Sequence, residues 1–134
     1  MIHYPTPYST DKNIGRAYND AISAIQGNIN DWVVLRDGDT AFLTPEWGRQ
    51  IEEVAESTDY TLLGCMTNRL RYKHQLYKGK FDSKCDMYKN FNTARKSEIE
   101  HWAEVVPTPG IAGLFMMFQI KTWAEVGGFK ENTI

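Results

Sequence analysis

Two aspartates one residue apart, Asp37 and Asp39, follow directly on the apolar run Trp32, Val33, Val34, Leu35 and the cation Arg36. Carboxylates at this spacing suit a hard divalent ion, because Mg²⁺ and Mn²⁺ take oxygen ligands and keep open positions for water and phosphate. Gly38 removes a side chain between them and lets the backbone bend, so both can approach one ion. The preceding run lacks polar alternation, as a strand buried on both faces of an α/β sheet does, and ligands of such sheets collect at the strands' carboxyl ends. The competing reading of the same residues is a solvated Asp-Gly-Asp turn.

Other residues with chemical potential are more dispersed. His3, His74 and His101 show no metal-ligand spacing. Cys65 and Cys85 form no paired motif and read as two free thiols in a reducing compartment. Residues 69–96 contain nine Lys or Arg and two Asp, a local charge of +7 against −9 for the rest of the chain. Tyr72, Tyr77, Phe81, Tyr88 and Phe91 are interleaved with those charges. The segment reads either as a solvated helical or looped insertion or as a contact surface for an anionic membrane, an anionic acceptor or nucleic acid. The acidic remainder argues against a dedicated nucleic-acid protein.

The elements that must position these groups alternate between strand and helix. With 134 residues, 42% of them apolar, and a net charge of −2, the chain is expected to form one domain, large enough for a core but small for an enzyme. It carries neither a secretory signal nor a run long enough to span a bilayer, which makes a cytoplasmic location the expectation. Residues 2–6 read as a short first strand. Ile14, Ala17, Tyr18, Ala21, Ile22 and Ile25 then fall at helical spacing behind an Asp11 cap, with Gly27 as the stop. After the Trp32 strand, Thr44 and Pro45 open a second helix whose apolar face is Trp47, Ile51, Val54 and Ala55. Residues 60–66 read as another buried strand, and Ser97 with Glu100 as the capping box of a short helix ending near Val106. A strand over 114–118, a helical turn over 122–126 and a Gly127-Gly128 exit complete the pattern. The alternation predicts an α/β layer fold with a mainly parallel sheet flanked by helices.

Three segments, in this order, resemble the GT-A glycosyltransferases, and within them the family 2-like enzymes. The stretch 13–22 from Asn13 and Gly15 onward is similar to the helix that follows their nucleotide-binding part, Asp37-Gly38-Asp39 to their DxD motif, and Trp123 through Gly127-Gly128-Phe129-Lys130-Glu131 to their GGF(D/E)E turn. The resemblance covers roughly residues 5–131. It implies a single GT-A-like domain over 1–134, abbreviated at both termini, with a basic insertion at about 69–96. It further implies a nucleotide-sugar donor, a UDP-sugar, bound through Mn²⁺ or Mg²⁺. The sugar would pass with inversion to a hydroxyl of a glycan, a lipid or another acceptor; nucleic acid is disfavoured as a partner.

Carried onto this chain, the resemblance makes Asp37 the aspartate facing the donor sugar or ribose and Asp39 the metal contact, with both in the metal site. Thr6, Pro7 and Tyr8 would lie near the nucleotide base, and Asn13, Gly15, Arg36 and Gly38 would complete the donor side. Trp123, Gly127 and Gly128 would shape the acceptor pocket. Glu131, which with Asp37 makes up the catalytic candidates, is the one carboxylate after the Gly-Gly turn and matches the family glutamate that often helps to bind the acceptor; the usual general base lies several residues further on. Weak transfer relative to donor binding is therefore expected. Two other classes stay open. One is a non-catalytic sugar-nucleotide or carbohydrate-binding module. The other, more distant, is a haloacid-dehalogenase-like phosphatase, which would want Thr at position 41, where this chain has Ala.

Overall fold

The structure, a computed structural model, describes residues 1–131. Four strands, β1 (Ile2–His3), β2 (Trp32–Arg36), β3 (Leu62–Leu63) and β4 (Phe115–Gln119), form one sheet in the order β1-β2-β4-β3. Helices α1 (Ile14–Ser23), α2 (Trp47–Ser57), α3 (Met87–His101) and α4 (Ile120–Glu125) connect or follow them.

Strand β2 is buried on both faces. Trp32 and Val34 pack with Ile51, Leu63, Phe115 and Met117 beneath α2, whereas Val33 and Leu35 pack with Ile22 and Phe118 beneath α1. Trp123 of α4 joins the second layer. The continuous apolar run is thus explained by two cores, with alternate side chains serving each. Full burial contributes roughly 1.5–3 kcal/mol for each Val or Leu, so Val33, Val34 and Leu35 anchor both layers.

The expected mainly parallel sheet is corrected. Only β1 and β2 pair in parallel; β4 runs antiparallel to both β2 and β3. The strand–helix–strand alternation did lead β1, β2 and β3 in one direction, as crossover connections require. The reversed β4, arriving after the long excursion of residues 64–114, inserts between β2 and β3. It pairs Val34 with Met117 and Leu63 with the same Met117. A helical pattern cannot announce the direction of a strand that returns from so long a connection.

Helix α1 begins at Asn13, whose side chain accepts from the Arg16 amide; Asp11, the expected cap, instead accepts from the Asn13 amide. The first strand stops at His3, two residues before Pro5, which has no N–H to give a ladder. The third stops at Leu63, with Tyr60 and Leu62 exposed.

The Ser97–Glu100 capping box is also corrected. Both residues lie inside α3, which starts ten residues earlier than Ser97, where Asp86 caps it by accepting from the Lys89 amide. Asp82 organises the approach, accepting from the Asn68 and Asn90 amide groups and from the Lys84 and Cys85 backbone. These hydrogen bonds, led by that from Asn90, hold its carboxyl below the ordinary value. The basic segment is docked by Gln75, which is buried, donates to the Cys65 carbonyl and accepts from the Ala112 amide.

Candidate functional site

At the carboxyl end of β2 a cavity of about 270 Å³ is lined by Tyr4, Pro5, Thr6, Pro7, Val34, Arg36, Gly38, Phe42 and Trp47. Two separate stretches named from sequence for the donor side, Thr6-Pro7 and Arg36 with Gly38, therefore meet at one place. Its wall is aromatic. Phe42 and Trp47 stack with centroids 4.3 Å apart and planes 7° from parallel, and Tyr4 meets Trp47 edge-on at 5.9 Å. The Arg36 guanidinium lies over the Phe42 ring at 5.7 Å. Burial, then the nearby Glu52 charge, raises the Tyr4 hydroxyl above its ordinary pKa, so it remains a donor at neutral pH. Phe42 and Tyr4 were not singled out from sequence, and Trp47 was assigned only to the core. The available signal was the apolar triplet Ala41-Phe42-Leu43 in the connection that follows the Asp37 turn.

The two aspartates ride on the turn that closes this end. Asp37 donates its amide to the Leu114 carbonyl at 2.9 Å, which ties the turn to the strand beside it. Its own carbonyl accepts from the Thr40 amide and hydroxyl, the latter at 2.6 Å. Arg36 donates to the Thr40 carbonyl at 2.6 Å. Backbone bonds fix the turn, and both carboxylates stand at the surface. Among the described residues, no group of three or more His, Cys, Asp or Glu is gathered to hold a metal ion. Asp37 and Asp39 are two exposed carboxylates, fewer donors than such a group has.

The residues that the resemblance assigned to the acceptor side form a second cluster, centred on a side chain that sequence reasoning passed over. Asn19 Oδ1 accepts from Trp123 Nε1 at 2.9 Å and from the Phe129 amide at 2.8 Å. Its Nδ2 donates to the Phe129 carbonyl at 2.9 Å and to Glu131 Oε1 at 3.1 Å. One amide thus holds four groups of the 123–131 segment. Gly127 and Gly128 adopt φ of 83° and 79°, a region that disfavours side chains, and a Cβ on Gly128 would stand 2.9 Å from Asn19 Oδ1. Gly15 has a related duty, since a Cβ there would come within 2.0 Å of the Lys130 carbonyl oxygen. Asn13 caps α1, and Trp123 faces the core beside Ile22 and Phe118.

Tyr18 joins the two clusters. Its ring meets Phe129 edge-on at 5.2 Å, and its hydroxyl is raised above the ordinary pKa by burial and, second, by the charge of Asp37. Tyr8 does not line the cavity and is 84% exposed. Of the two thiols, Cys65 is pushed up to about 12 by burial, and Cys85 is exposed; neither is in a disulfide. Comparisons with protein-family models, with curated proteins and with solved structures give no significant match to this chain.

Proposed function

We propose that this chain is a GT-A-like glycosyltransferase domain that binds a UDP-sugar through a divalent cation at Asp37 and Asp39. The observation that carries the reading is the cavity at the end of β2, where Thr6-Pro7, Arg36 and Gly38 converge against the Tyr4, Phe42 and Trp47 rings. An aromatic wall suits a base or sugar, and a guanidinium lining the same cavity suits a diphosphate. When bound, Mn²⁺ or Mg²⁺ would neutralise the charge that develops on the departing diphosphate. Arg36 would help to hold that diphosphate, and Asp37 would orient the donor sugar. Glu131, positioned by Asn19 beside the Gly127-Gly128 turn, would hold the acceptor hydroxyl. In an inverting transfer the acceptor oxygen bonds to the anomeric carbon as the carbon–phosphate oxygen bond breaks, and a carboxylate takes the hydroxyl proton.

Calorimetric titration of a panel of nucleotide sugars, with and without Mn²⁺, tests this. Wild type should bind UDP-sugar in a metal-dependent way, and Asp39→Ala should lose roughly 10–100-fold of affinity and the metal dependence while keeping its circular dichroism. Unchanged metal-dependent binding in Asp39→Ala refutes the assignment. Binding without turnover of any acceptor would favour the non-catalytic module, and hydrolysis of a generic phosphate ester would favour the phosphatase.

A further inference from the structure

Helix α3 is built inside out. Its inward side carries the buried Asn90 with the half-buried Thr93, Ala94 and Ser97, all polar or small. Its outward side carries Tyr88, Phe91 and Ile99, which are 83%, 51% and 78% exposed. Tyr88, Phe91 and Arg95 follow at helical i, i+3 and i+7 spacing, so they lie on one stripe. Lys89 and Lys96 flank it, and Met87 at the helix start is 50% exposed. A helix that turns its aromatic residues to solvent and its asparagine to the protein has a face suited to something outside the fold.

The charge around that face is mainly positive, nine Lys or Arg against Asp82 and Asp86 over residues 69–96. All nine Lys and Arg of residues 69–96 are exposed, and among the described residues none lies within ion-pair distance of a carboxylate. Arg69 and Lys78 sit instead over aromatic rings, those of Phe81 and Tyr77, at 5.4 Å each. Phe81 is itself 49% exposed. Cations are thus interleaved with protruding apolar groups, which is the combination an anionic lipid surface rewards: headgroups meet the cations while ring and aliphatic side chains enter the interface.

We propose that residues 80–96, the N-terminal two thirds of α3 and its approach, dock on a membrane containing anionic phospholipid. Nucleic acid fits less well, because the rest of the chain carries −9. The C-terminal end of α3 marks the limit of the contact: there the carboxylates of Glu98 and Glu100 accept from the Glu46 amide and the Tyr77 hydroxyl. The inference uses neither Asp37 nor Asp39, so it stands or falls apart from donor binding.

Sedimentation with vesicles tests it. Wild type should pellet with phosphatidylcholine vesicles containing phosphatidylserine, not with pure phosphatidylcholine, and salt should release it. Each cation removed costs about fivefold in partitioning, so Lys89→Gln with Lys96→Gln should lose roughly 30-fold. Tyr88→Ser with Phe91→Ser, both on exposed positions, should abolish the remainder without moving the urea midpoint. Equal binding to neutral vesicles, no binding to either, or full binding by the Tyr88→Ser/Phe91→Ser protein overturns the proposal. So does tighter binding to single-stranded RNA than to anionic vesicles, or light scattering that shows this face already buried in a dimer.

Discussion

Replacing Asn19 with Ala should destabilise the protein well beyond what a half-buried surface asparagine normally does. The substitution removes the acceptor of Trp123 Nε1 and of the Phe129 amide, and the donor to the Phe129 carbonyl, all three at 2.8–2.9 Å. Each contributes about 1 kcal/mol net, and the exposed bond to Glu131 adds almost nothing, which sets the loss at about 2–3 kcal/mol. With a urea slope near 1.5 kcal/mol/M, the midpoint should fall by about 1–2 M. Tryptophan fluorescence follows the transition, because Trp123 itself sits at the clamp. Trp123→Phe shares one of the bonds, so the double variant should cost less than the two singles combined. A midpoint shift equivalent to less than about 0.5 kcal/mol, or strict additivity of the pair, would show that Asn19 does not hold the 123–131 segment.

Two further outcomes follow from the same structure. Gly15→Ala, whose Cβ would meet the Lys130 carbonyl oxygen at 2.0 Å, should cost about 2–3 kcal/mol, while Gly38→Ala, with open space around its Cβ, should stay within about 0.5 kcal/mol; equal urea midpoints would refute the close packing of α1 on the turn. The His3 ring at 2.8 Å, followed by the Asn28 amide, holds the Asp31 carboxyl at about 2, below its unfolded value. Ionised Asp31 therefore stabilises the fold above the ordinary carboxylate range and loses that effect as the pH falls through about 2, so the deficit of Asp31→Asn should be present at neutral pH and shrink in acid. A deficit independent of pH in urea titrations refutes it.

Legibility from sequence followed the strength of the local signal. The doubly buried β2 was readable because four apolar residues in a row have few other uses, and α1 and α2 because their apolar stripes recur at helical spacing. The direction of β4 was not readable, since pairing between β2 and β3 is a long-range event with no local mark. Helix α3 was misread for the opposite reason: its inward face is Asn90, Thr93, Ala94 and Ser97, so no apolar period shows, and an interior Ser-x-x-Glu passed for a start. Around the cavity, Thr6-Pro7, Arg36 and Gly38 could be named, but Phe42 and Tyr4 could not be separated from ordinary aromatics. Asn19 was hidden altogether, because a polar residue on a helix gives no sign that its partners lie more than a hundred positions away.

The spacing within the first motif has a physical explanation once the clamp is known. Gly15, Tyr18, Asn19 and Ile22 lie at i, i+3, i+4 and i+7, hence on one side of α1. Gly15 lets the 127–131 turn come against the helix, Asn19 binds that turn one helical turn later, and Ile22 drives the same side into the core with Val33 and Leu35. Tyr18 of the same stripe touches Phe129. Since Val33 and Leu35 belong to the strand that ends in the Asp37 turn, α1 fixes the proposed acceptor turn relative to the proposed donor turn through one rigid element. A shift of α1 would therefore displace Glu131 from the donor end, so Asn19→Ala should impair any transfer more than donor binding, which depends on the cavity lined by Thr6, Arg36 and Phe42.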